Sequence, residues 1–133
     1  MPIPDGSYSL TLTIVDEGCE GGRNVGKVSD GQLDIVTDSQ GQTWVTFATT
    51  YLAIPDLVGF PAPGVQGTLI AISHHEFKLG WPKAELRMTN DGDKHYSVHV
   101  SWQELRKTDK GLQMCENEYR GKAALKSETK SGR

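Results

Sequence analysis

Four histidines and two cysteines carry the widest range of chemistry in this chain, and their spacing restricts it. His95 and His99 fall in an alternating stretch and share a strand face, but four residues at strand rise separate them by about 13 Å, too far for one ion. His74 and His75 are adjacent and point to opposite faces of a strand. No metal site is expected. Cys19 and Cys115 lie far apart in sequence with no CxxC pattern, which is read as two free thiols in a reducing compartment.

Other catalytic and ligand patterns are missing. The chain has no GxSxG, Walker loop, GxGxxG or HExxH, and neither cysteine has a histidine beside it. The stretch TNDGDK lacks the spaced oxygen ligands and terminal glutamate of a calcium loop, and reads as a turn. The expectation is a protein that is not an enzyme and needs no cofactor.

Two binding chemistries have residues to support them. Residues 51–65, YLAIPDLVGFPAPGV, combine many apolar side chains with three prolines and two glycines, so an irregular connection is expected there. Ile54, Leu57, Val58, Phe60, Pro61 and Pro63 are its candidate protein-binding residues. Leu57 and Val58 are expected inside and Phe60 with its prolines outside, since exposed apolar patches mark interaction sites and proline stiffening lowers the entropy lost on binding. The alternative is a single-stranded nucleic-acid platform built from Trp44, Tyr51 and Trp81 with Arg106, Lys107 and Lys110.

The elements that would position these residues are strands. In SYSLTLTIV, Tyr8, Leu10, Leu12 and Ile14 alternate with hydroxyl residues, which gives a strand with one face on the core. A hairpin is expected around Asp30-Gly31, because Asp-Gly suits a tight turn. TWVTFATTYL turns Trp44 one way and Val45, Phe47 and Tyr51 the other, leaving apolar groups on both faces. GTLIAISHH is a further strand. KAELRMT and HYSVHVSWQEL form a hairpin about NDGD, with Tyr96, Val98, Val100 and Trp102 on its apolar face.

After Arg106 the alternation fades. GLQMCENEYRGKAAL is expected to form a short helix and the last residues to fray. The expected architecture is all-β, a small antiparallel barrel or sandwich of six to seven strands with at most one short C-terminal helix. It comprises a single β domain over 1–105 and a basic extension over 106–133.

Charge follows the same division. The net charge of −3 conceals an acidic body, with 6 Lys and Arg against 13 Asp and Glu over 1–105, and a basic tail with 8 against 4. An acidic body opposes the basic groove that nucleic acid requires and suits a basic partner. The first ten residues show no basic segment followed by an apolar stretch, and no run approaches the roughly 18 apolar residues of a membrane helix. A soluble, cytoplasmic protein without membrane contact is expected.

The opening DGSYSL, followed by a Gly-rich turn and DGQL, resembles over roughly 35 residues the start of the lipocalin-like negative regulators of bacterial type III secretion. That resemblance implies a small cytoplasmic β-barrel that binds a transcriptional activator. The acidic surface motif of those regulators has no clear counterpart here. The functional expectation is a non-catalytic regulator or inhibitor that binds a protein, most naturally a basic, nucleic-acid-binding one. An OB-like single-strand binder is the alternative and a lipocalin-like small-ligand barrel the second; homodimerisation is compatible with each.

Overall fold

The computed structural model describes residues 3–18, 24–50, 53–75, 79 and 82–128, with the backbone alone at 53 and 55. Eight strands follow one another: β1 (Gly6–Glu17), β2 (Val28–Thr37), β3 (Thr43–Thr49), β4 (Ala53–Pro61), β5 (Thr68–Ser73), β6 (Lys83–Gly92), β7 (His95–Thr108) and β8 (Gly111–Glu128). Each pairs antiparallel with the next, and β8 returns to pair with β1, closing an up-and-down barrel. The fold is therefore all-β, with eight strands in place of the expected six to seven, and a barrel rather than a sandwich. Closure leaves no edge running the length of the sheet to pair with another chain.

Alternation decides which side chains go inside. Tyr8, Leu10, Leu12 and Ile14 of β1 are almost completely buried, as are Leu33 and Ile35 of β2, Val45 and Phe47 of β3, and Leu86 and Met88 of β6. Ile54 and Leu57 of β4, Leu69 and Ala71 of β5, Val98, Val100 and Trp102 of β7 and Tyr119 of β8 belong to the same cluster. Tyr8 and Tyr96 meet edge to face at 5.5 Å, and Trp102 and Tyr119 do so at 4.3 Å. Burial, and then the neighbouring Tyr96, push the Tyr8 hydroxyl above its ordinary range, while that hydroxyl donates to the Pro4 carbonyl. The interior is a packed core.

Three sequence expectations fail for identifiable reasons. Asp30-Gly31 is not a turn but lies within β2, where a Cβ on residue 31 would sit 2.0 Å from the Ala48 carbonyl oxygen. Glycine is needed there for close backbone approach, and the actual hairpin joins β1 to β2. Residues 53–61 are not an irregular connection but β4. Pro55 falls where the β3–β4 register shifts, and Pro61 ends the strand, two places where a missing N–H is tolerated.

The third failure is the expected C-terminal helix, where the chain forms β8 instead; of the last residues expected to fray, 129–133 lie outside the described residues. Among the described residues there is no helix. The inward positions of β8 include Cys115, Asn117, Tyr119, Gly121 and Ala123, mostly small or polar residues that hide the period of two. At Gly121 a Cβ would lie 1.8 Å from the Thr11 carbonyl oxygen, so the seam between first and last strands closes around a glycine.

The cysteine reading is also corrected. Cys115 is buried and disulfide-bonded, not a free thiol. The chain holds one other cysteine, Cys19, which is outside the described residues. Disulfides persist in oxidising compartments, so the thiol argument for a cytoplasmic location no longer stands.

Candidate functional site

A core that is already full makes apolar side chains on the outside of the barrel informative. Val36 on β2 is opposite Trp44 on β3, Trp44 is opposite Val58 on β4, and Val58 is opposite Ile72 on β5. These four form one row across four strands, about 14 Å wide at the usual strand spacing. Two residues along, Phe60 is opposite Ile70 and adds a second row. Val36 is 52% exposed, Ile72 39% and Phe60 36%, whereas Trp44, Val58 and Ile70 are half-buried by one another and their neighbours.

The Trp44 ring is held in place from two sides. Its Nε1 donates to Asp38 Oδ2 at 3.0 Å, and the ring meets His74 edge to face at 5.3 Å. Asp38 is itself fixed, because its Oδ1 accepts the backbone N–H groups of Gln40 and Gln42 in the β2–β3 turn. The Trp44 hydrogen bond, followed by that from the Gln42 backbone, lowers the Asp38 carboxyl pKa below its ordinary value. An aromatic side chain held this way has little rotamer freedom to lose when something docks on it.

Charge around the rows is mainly negative. Asp34 and Asp38 lie beside Val36 and Trp44, exposed Asp56 precedes the Val58 stretch, and Glu85 is opposite Ile72. Among the described residues, Arg87, opposite Ile70, and Lys83 are the nearby cations.

The protein-binding residues expected from sequence divide between the two faces of β4. Ile54 and Leu57 are buried in the core, Val58 and Phe60 belong to the outer rows, and Pro61 and Pro63 are exposed at the start of the β4–β5 connection. Val58 therefore faces outward, contrary to its expected place inside; the strand period sets it opposite to Leu57. Val36, Ile70, Ile72 and His74 were missed. Their signal was present in strands whose two faces are both apolar, a pattern noted for residues 43–52 and not followed into β5.

The nucleic-acid alternative does not assemble in one place. Trp44 stands near the start of β3, at the chain-terminal end of the barrel. Arg106, Lys107 and Lys110 lie at the other end, where β7 and β8 keep pairing as far as Thr108–Gly111 after β6 pairing has stopped at Gln103. Tyr51 and Trp81 are outside the described residues. An eight-stranded meander is also not the five-stranded Greek key of an OB-fold.

The histidines are dispersed. His99 Nε2 bonds Glu118 Oε2 at 2.9 Å, His75 contacts the Pro82 carbonyl, and His95 is exposed. Among the described residues no three His, Cys, Asp or Glu side chains converge as a metal-ligand group. Compared with family models, curated proteins and solved structures, the chain matches none.

Proposed function

We propose that this barrel is a non-catalytic binding protein, a regulator or inhibitor, whose outer β2–β5 face receives a protein segment carrying both apolar and basic side chains. The observation that carries the reading is the row Val36–Trp44–Val58–Ile72, on the outside of a barrel whose core needs none of these residues. An exposed apolar face of several strands is unusual on a monomer and marks an interaction surface. Trp44 is its natural anchor, because aromatic residues dominate binding hot spots. The carboxylates beside it favour a basic segment and speed its encounter.

Selection of random 16-residue peptides displayed on phage tests this reading. Enriched peptides should join aromatic or aliphatic residues to Lys or Arg, and binding should fall at least about tenfold in Phe60→Ser and Ile72→Ser. Both variants should unfold within about 1.5 kcal/mol of the parent. Enrichment of peptides whose binding ignores both substitutions would contradict the proposal, and so would a selection that enriches nothing.

A further inference from the structure

The chain-terminal end of the barrel contains a recess of about 640 Å³, within the size range of small-molecule sites. Its walls come from the N-terminal segment, the ends of β2 and β4, the starts of β3 and β5, and the β4–β5 connection. Ile35, Ala62 and Leu69 form its buried apolar part, and Val65, 51% exposed, stands at its rim. The recess opens over the chain-terminal end of the core, to which Ile35 and Leu69 belong, and meets the outer β2–β5 rows only at the start of β3 and the end of β4.

The wall is built before any ligand arrives. Ala62 N–H donates to the Thr68 carbonyl, Val65 N–H to the Ala62 carbonyl, and Asn90 N–H to the Gly67 carbonyl, which ties the connection to β6. Gly64 and Gly67 adopt φ of 72° and 73°, which lets the chain make this tight strap. A preformed wall reduces the ordering cost of binding.

Charge selects the ligand. Among the described residues no lysine, arginine or histidine lines the recess, and Asp5 is its one ionisable wall residue. The carboxylate is held by Thr37, whose N–H donates to Oδ2 at 2.7 Å and whose Oγ1 donates to Oδ1 at 3.1 Å. A carboxylate has about four lone-pair sites, so two bonds to Thr37 leave acceptor capacity for a further donor. We propose that this recess binds a small amphipathic cation, a primary alkylammonium whose chain lies against Ile35, Ala62 and Leu69 and whose N–H groups donate to Asp5.

Calorimetric titration of the full chain at pH 7 with decylamine, decanol and decanoate, each below its micelle concentration, tests the site and its charge preference. Decylammonium should bind saturably, one per chain, at least about tenfold tighter than decanoate. Val65→Lys, at an exposed rim position, should weaken decylammonium at least about fivefold without lowering the melting temperature, whereas Val65→Leu should retain it. Asp5→Asn should bring decylammonium and decanol to similar affinity. The proposal is overturned by equal binding of all three parent ligands, by the absence of saturable binding, or by decylammonium affinity that ignores Val65→Lys.

Discussion

One row of outward residues crosses all eight strands, and its two halves differ. From β2 to β5 it reads Val36, Trp44, Val58 and Ile72; from β6 through β8 to β1 it reads Glu85, Ser101, Glu118 and Asp16. Both halves stand on the same kind of strand and cover the same core. On the polar half Glu118 is satisfied by its own neighbours, accepting from His99 at 2.9 Å and from Arg120 Nε at 2.8 Å. The apolar half has charges only at its margins. The fold therefore does not require the outer apolar row, and this separates residues that build the barrel from residues available to a partner.

The most severe way to test that separation is to attack the seam both halves depend on. Gly121→Val would drive a side chain into the Thr11 backbone of β1, and should cost more than about 4 kcal/mol or abolish cooperative unfolding. Circular dichroism on heating checks this. Urea titration then separates inside from outside on the apolar half itself. Leu57→Ala, fully buried, should lose about 2–5 kcal/mol. Ile72→Ala, two-fifths exposed, should lose less than about 1.5 kcal/mol; equal losses would mean that the outer row is structural.

Reduction of the Cys115 disulfide should have an intermediate effect, lowering stability by about 2–4 kcal/mol. Melting curves with and without reductant measure it, and a change below about 0.5 kcal/mol would make the link incidental to the fold.

The smallest effect is acid titration, with one depressed carboxyl on each half. His99 and then Arg120 lower the Glu118 carboxyl, as Trp44 and then Gln42 lower Asp38. Because these folded values lie below the unfolded ones, each contribution is present above the ordinary carboxylate range and disappears as pH falls through the depressed value. The Trp44 indole N–H resonance should therefore shift with a midpoint below the ordinary Asp value of 3.8. A midpoint at or above that value would show that the Trp44–Asp38 bond does not hold the ring.

Much of the barrel was legible because β1, β6 and β7 alternate cleanly, with Tyr8 to Ile14 and Tyr96 to Val100 turned inward. What was hidden depends on contacts between distant strands. Gly31 looks like a turn residue until β3 passes beside it, and Gly121 sits inside the expected helix until β8 meets β1. The expected protein-binding residues were drawn from one segment, whereas the proposed surface spans four strands. Ile72 and Val36 gain their meaning only when β5 and β2 are aligned on either side of β3 and β4.

The central claim is that the apolar half, and not the polar half, is the docking surface. The most direct measurement is the affinity of a selected peptide, by fluorescence anisotropy at fixed salt, for Ile72→Ser and for Ser9→Ala on the outer face of β1. The account predicts a loss of at least about tenfold for Ile72→Ser and a change within about twofold for Ser9→Ala. Equal losses at both positions, or a loss at Ser9 alone, would contradict it.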